Sequence, residues 1–398
     1  MTFLINQNLA RERTYGDTER SVVSLSEYER AKAEIERWDG YGPSQLYSLA
    51  TIAEELGVQK VFVKDESTRF GLASFKALGG SYAVSKVLER GSARDVDAKS
   101  VTVVCATDGN HGRSVAWGAQ KFGCNCVIYV PAHVTERRAQ EIASFGAKVV
   151  RLEGNYDEAV ERAADDAEAN GWEVVSDTSY EGYQEIPSWV MQGYTLMVEE
   201  VFSQLPESEW PTHIFIQGGV GGLAAAVCGH LWESYGSDRA IITVVEPVEA
   251  DCLYQSAVAG VPASASGTLE TIMGGLSCGE ISSLAWKILS PGIDAFMTVS
   301  DDRVAPWMRR LAEGRGDDSP VVAGESGVTG LIGLEAVSQD GELKEQLQLC
   351  DTSRILVFST EGATDPETYK DIVGQDFESI GTASDFVLWY LSYYPQKT

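Results

Sequence analysis

The sequence predicts an α/β protein of two open αβα layers, with a ligand site in the cleft between them. Three observations lead there. The chain has 398 residues, too many for one simple core. Short continuous apolar runs such as VTVVCAT and CNCVIYVP alternate with helical stretches, the pattern of a parallel sheet covered on both faces. After an aromatic, turn-rich interruption at 179–212 the alternation restarts with THIFIQ, IITVVEP and RILVFST, which supplies the second layer.

The elements follow in order. Residues 1–45 are polar and mixed; Ser26 with Glu29 reads as a capping box opening a helix to Trp38, and GYGP stops it. Residues 46–58 read as a helix closed by Gly57, and VQKVFVKDE as a short strand. KALGGSYAVSKVLERG is helical, VTVVCAT a strand, HGRSVAWGAQKFG a helix and CNCVIYVP a strand. TERRAQEIASFG, KVVRLE, YDEAVERAADDAEANG and EVVSD continue the alternation. SYEGYQEIPSWV is turn-rich, MQGYTLMVEEVFSQL helical, and EGRGDDSP a surface loop. No repeat is visible, and no linker rich in Pro, Gly or Ser marks a boundary.

Composition narrows the function. Net charge is −28, from 59 acidic and 31 basic residues, which repels nucleic-acid backbones and anionic membranes. Solubility and adaptation to a salty environment both account for the acidity. The seven cysteines sit mostly in apolar runs, and Cys124 and Cys126 are spaced neither as a redox pair nor as half a zinc site. Reduced thiols, and hence a cytoplasmic location, are expected. The opening MTFLINQNLARERTYGDTER lacks an apolar h-region, and no run of eighteen apolar residues occurs, so neither a simple secretion signal nor a membrane span is expected.

Three segments carry chemistry. In KDESTRFGLASFKALGGSYA, Lys76 stands at a helix start among apolar residues, where desolvation and the helix terminus would lower its pKa and make it a Schiff-base nucleophile. An ordinary lysine at a helix start is the alternative. GGVGG, Gly218–Gly222, joins a strand to a helix and offers bare N–H groups to a phosphate. It lacks the P-loop lysine and the GxGxxG spacing, so a phosphate monoester suits it better than a nucleotide; a tight turn is the alternative. ATDGNHGRSVAWGA places Asp108, Asn110 and His111 at the carboxyl end of a strand, as ligand-binding groups or as helix caps.

Together the three segments resemble the fold-type II pyridoxal-phosphate enzymes, the tryptophan synthase β-like family that includes threonine dehydratase and cysteine synthase. SFK, GNHG and GGVGG stand in that family's order. Longer strings, VKDES with RFGL and FKALGGSYA, ATDGNHGR, DT with GY, IP and MQGY, and FSTEG with TDP, resemble its diaminopropionate ammonia-lyase branch over roughly residues 40–375. The resemblance implies a large cofactor-binding domain of residues 1–91 and 179–398, a small αβα domain of residues 92–178, and a homodimer. Trp189 or Trp389 are possible anchors for that dimer.

The resemblance also implies roles. Lys76 carries pyridoxal 5'-phosphate and takes the Cα proton, Phe75 packs against its ring, and Asn110 meets its phenolic oxygen. Gly218, Gly219, Gly221 and Gly222 hold the phosphate, and Thr360 or Ser359 meets the ring nitrogen. A hydroxyl there does not force that nitrogen to stay protonated, which favours expulsion of a β leaving group. Asp108 is the base for a D substrate and Lys76 for an L substrate, while Asp177 faces a β-ammonium and His111 and Tyr180 line the substrate site. No metal is implied. Ser74 replaces a larger amide and Tyr180 a Trp of the lyase pattern, and DFVLWYLSYYP after Ile380 has no counterpart. The expected reaction is elimination from D- and L-2,3-diaminopropionate to pyruvate and ammonia. The rivals are a serine or threonine dehydratase and, more remotely, a non-catalytic protein that binds the cofactor or an amino acid.

Overall fold

The computed structural model describes residues 1–93, 95–107, 109–132, 134–154 and 156–380, with the backbone alone at 156 and 157. Asp108, His133, Trp389 and the DFVLWYLSYYP segment lie outside the described residues. The strands are β1 (Thr2–Ile5), β2 (Gln45–Ser48), β3 (Lys60–Asp65), β4 (Thr102–Ala106), β5 (Asn125–Val130) and β6 (Lys148–Arg151). They continue as β7 (Glu173–Val174), β8 (His213–Gln217), β9 (Ile241–Pro247), β10 (Ala295–Val299) and β11 (Arg354–Ser359). One sheet runs β1-β10-β9-β8-β11-β3-β2 and the other β6-β5-β4-β7.

The five inner strands of the larger sheet are parallel, and β1 and β2 close its edges antiparallel. Both faces are covered, which is why these strands read as unbroken apolar runs. Leu356 and Phe358 of β11 pack into one core and Ile355 and Val357 into the other, and β8 divides Ile214 and Ile216 from Phe215 in the same way. The smaller sheet is parallel throughout and takes all its strands from residues 102–174.

The helix Lys76–Ser92 packs between Asn110–Phe122 and Glu185–Gln204. Glycine permits the second contact. A Cβ on Gly79 would sit 2.4 Å from Tyr194 Cε1, and one on Gly193 2.4 Å from the Leu78 carbonyl oxygen, so neither helix tolerates a side chain there. Beneath the loop leading to Lys76 lies a buried ion cluster: Glu200 accepts from Arg69 at 2.7 Å and pairs with Lys64 at 2.7 Å, while Glu66 takes the other edge of the guanidinium at 2.8 Å.

Several local expectations are corrected. The first long helix is Leu25–Ile35, and its cap is Ser24, whose side chain accepts from Glu27 N; the capping pair thus lies two residues before Ser26 and Glu29. The 46–58 segment is divided, with β2 pairing to β3 before the helix Ala50–Leu56, though Gly57 does close that helix in the left-handed conformation. The helix Glu185–Gln204 already includes IPSWV, because Pro187 falls in its first turn where no intrahelical N–H is needed. EGRGDDSP is a loop, yet its Asp318 is buried and accepts from the N–H groups of Thr51 and Ile52.

Candidate active site

Each chemistry-bearing segment leaves the carboxyl end of a parallel strand, where backbone groups and side chains are free to meet a ligand. In the larger sheet β8 leads into the glycine loop, its neighbour β11 into Ser359, Thr360 and Glu361, and the next strand, β3, toward Lys76. In the smaller sheet β4 leads to Asn110 and His111, and β7 to Asp177. The two sets of strand ends meet around Lys76.

Lys76 is the first residue of its helix, and Nζ is paired with Asp177 Oδ2. The ammonium lies 5.3 Å from the centre of the Phe75 ring and 6.0 Å from that of Tyr194, two rings themselves packed at 4.7 Å. Burial alone would lower the Lys76 pKa, but the adjacent Asp177 carboxylate outweighs it and holds the ammonium above its ordinary range. This corrects the lowered amine expected from the sequence. Burial likewise works against the Asp177 carboxylate, and the Lys76 charge overrides it and keeps that group well below the usual range.

His111 is buried, and its pKa is lowered first by that burial. Its Nε2 lies 2.8 Å from the Val175 carbonyl, which can only accept, so that nitrogen carries the proton and Nδ1 faces Asp177 at 3.8 Å. Asn110 Nδ2 donates to Glu361 Oε2 at 2.6 Å. Ser359 and Thr360 are buried, and the Phe75 N–H donates to the Thr360 carbonyl, which ties β11 to the start of the lysine helix. Tyr180 stands apart: it is 53% exposed and stacked on Tyr183, outside the buried group. Trp189 is half-buried beneath Arg90.

In the glycine loop, Gly219 and Gly221 have φ of +61° and +96°, values that side chains rarely adopt. A Cβ on Gly218 would meet Glu246 Cγ at 2.4 Å. The loop delivers the first turn of the helix Gly222–Tyr235, whose leading N–H groups have no partner within the helix. Gln217 anchors it from below, donating to the carbonyls of Phe358, Ser326 and Gly327 at 2.8, 3.0 and 3.3 Å. This brings the GESG loop, Gly324–Gly327, against the site. A cleft of about 630 Å³ lies elsewhere, lined by Asp65, Arg113, Glu141, Phe145 and Lys370 and not by Lys76 or Asp177.

A family profile described as pyridoxal-phosphate dependent enzyme matches residues 37–361. The chain is 38% identical over 386 residues to the diaminopropionate ammonia-lyase of Escherichia coli strain K12, spanning 93% of this chain and 97% of that one. The chain belongs to the pyridoxal-phosphate-dependent enzymes and, within them, to the diaminopropionate ammonia-lyase family. A holo crystal structure of the Escherichia coli lyase matches with a TM-score of 0.86 at 38% identity, covering 94% of this chain and 96% of that one. A second crystal structure of that lyase, in complex with an aminoacrylate–pyridoxal-phosphate azomethine reaction intermediate, matches with a TM-score of 0.84 at 38% identity over the same shares.

The residues fit this family's cofactor. A glycine-rich loop at a helix N-terminus suits a phosphate, and a lysine amine stands at the meeting of the strand ends with a half-buried amide from the other sheet. The sequence reading gave no role to Glu361, Tyr194 or Gln217. Glu361 stood inside the quoted FSTEG string and Tyr194 inside MQGY, so their segments were visible, but no local pattern reveals what they touch.

Proposed function

We propose that this protein eliminates ammonia from 2,3-diaminopropionate, in both D and L forms, giving 2-aminoacrylate that hydrolyses to pyruvate and a second ammonia. The observation that carries this reading is the half-buried Lys76–Asp177 pair. Asp177 pairs with the Lys76 ammonium, and a Lys76 nitrogen that carried the cofactor would no longer be that ammonium. A carboxylate left in such a site needs a new cation, and the β-ammonium of a diamino acid supplies one. A β-hydroxyl does not, which disfavours serine and threonine.

When bound through Lys76, pyridoxal phosphate supplies the electron sink that makes a substrate Cα–H acidic. The remaining work belongs to the chain. Gly218, Gly219, Gly221 and Gly222 would hold the phosphate with loop and helix N–H groups. Asn110 would donate to the phenolic oxygen, Phe75 would pack on the ring, and Ser359 or Thr360 would meet the ring nitrogen. The Lys76 amine, when free, would take the Cα proton of the L form as the β-nitrogen leaves. Asp108 takes it for the D form, an assignment that rests on the sequence resemblance. His111, hydrogen-bonded to Val175, limits where the Asp177 carboxylate can swing.

The protein works in the cytoplasm, a reading supported by seven free thiols. No described helix is long and apolar enough to cross a membrane. It acts as a homodimer, in which a second copy would cover apolar side chains such as Val258 and Val261, each nearly 60% exposed. The deciding assay is pyruvate release from D- and L-2,3-diaminopropionate, D- and L-serine and L-threonine. Fast turnover of both diaminopropionate isomers supports the proposal, and Asp108→Asn should then depress the D form about 100-fold or more while sparing the L form. Faster turnover of serine or threonine would overturn the role given to Asp177.

A further inference from the structure

We propose that Glu361 is a positioning residue for Asn110: its carboxylate fixes which end of the Asn110 amide faces the cofactor. The inference rests on the reading that Asn110 meets the cofactor's phenolic oxygen.

The two residues come from different sheets. Glu361 follows β11 of the larger sheet by two residues, and Asn110 opens the helix after β4 of the smaller one. Asn110 Nδ2 lies 2.6 Å from Glu361 Oε2. An ionised carboxylate only accepts, so the amide must turn its nitrogen toward it. That nitrogen carries two hydrogens in one plane. One is committed to Glu361, and the other stays available to an acceptor in the pocket. Without the carboxylate, the oxygen and nitrogen ends of an amide are nearly interchangeable in shape, and rotation about the last side-chain torsion swaps them. The swapped form would set a carbonyl oxygen against an anionic phenolic oxygen.

Glu361 is itself held rigidly, which such a role requires. It is buried, and its Oε1 accepts from the Ser326 N–H at 3.1 Å. Its carbonyl accepts from Gly324 N at 2.8 Å, it bridges to Ser74 in antiparallel fashion, and Gly362 N donates to Ala73 O at 3.0 Å. Two loops, one at Gly324 and Ser326 and one at Ala73 and Ser74, therefore hold the Glu361 backbone, and the Ser326 N–H holds its carboxylate. Its neighbour Glu325 records the concentration of negative charge: burial first, and then the Glu361 carboxylate, push that carboxyl up to about 7.

The test is a double-mutant cycle of Glu361→Ala and Asn110→Ala in the cofactor-loaded protein. It reads the pH midpoint of the cofactor's visible absorbance and the cofactor dissociation constant, with thermal unfolding to establish that each variant folds. Losing an N–H donor to the phenolic oxygen should raise the midpoint, by about one pH unit for Asn110→Ala, a tenfold change in the equilibrium. Glu361→Ala should shift the midpoint with Asn110 present and add nothing once Asn110 is gone. An equal Glu361→Ala shift in both backgrounds, or no shift in either, overturns the positioning role while leaving the Asn110 contact standing. An unmoved midpoint in Asn110→Ala overturns that contact and the proposal together. A merely structural Glu361 would lower the unfolding temperature without this dependence on Asn110.

Discussion

Replacing Asp177 by Asn should destabilise the cofactor-free protein without destabilising the loaded protein. The reason is that Lys76 is an ammonium needing a counter-charge only in the first state. Removing one partner of a buried pair costs about 3–5 kcal/mol. The two side chains here are 20% and 16% exposed, so some hydration survives and the lower limit falls to roughly 2 kcal/mol. The upper limit is set by the alternative of neutralising Lys76. At pH 7 that costs a lysine of ordinary pKa roughly 4.6 kcal/mol, at 1.36 kcal/mol per unit. The loss should therefore lie between these limits.

The pH dependence carries a sign. The Lys76 pKa is raised, so its contribution is fully present below the ordinary lysine value near 10.4 and is lost as pH rises through the folded value. The Asp177 pKa is depressed, so its contribution is present above the ordinary value near 3.9 and is lost as pH falls through the folded one. The gap between the wild type and Asp177→Asn should accordingly be flat through neutral pH and shrink at both extremes. Thermal unfolding of stripped and reloaded protein, run side by side, measures it. The variant should also take up cofactor with a lower pH midpoint, since its Lys76 amine deprotonates more easily. An equal fall in unfolding temperature with and without cofactor would refute the reasoning, because the loss would then have nothing to do with the lysine charge.

Two further substitutions and one control probe the frame. Gly221→Ala combines φ of +96° with a Cβ placed 2.9 Å from Leu289 Cδ1, a strain of about 1–3 kcal/mol. Cofactor binding should weaken roughly 10- to 100-fold in an equilibrium titration, whereas Gly42→Ala, with nothing within 4 Å, should leave it unchanged. Glu200→Gln leaves two buried cations, Lys64 and Arg69, facing the single carboxylate of Glu66, and should cost about 3 kcal/mol in a denaturation experiment. A loss below 1 kcal/mol there would mean that Lys64 releases its proton instead, a course its burial favours.

Much of the site was legible in the sequence because its parts are local. Glycines with positive φ, a lysine at a helix start and polar residues after apolar strands are each decided by a few neighbouring residues. Parallel-strand topology then forces such segments toward one end of their sheets. Local reading also erred locally. It set the first capping pair two residues late, since Ser24 and Ser26 both sit beside glutamates at the right spacing and only the path of the chain chooses between them.

The apolar periodicity determined the alternation of strands and helices, and the glycine and lysine motifs marked the segments that the strand ends bring together. Tertiary structure alone decided the electrostatics. Lys76 and Asp177 are 101 residues apart in the chain, and Asn110 and Glu361 are 251 apart. Whether a buried lysine is pushed down by desolvation or held up by a carboxylate depends on one oxygen at contact distance. That distance is set by how two sheets pack, and no local pattern of residues encodes it.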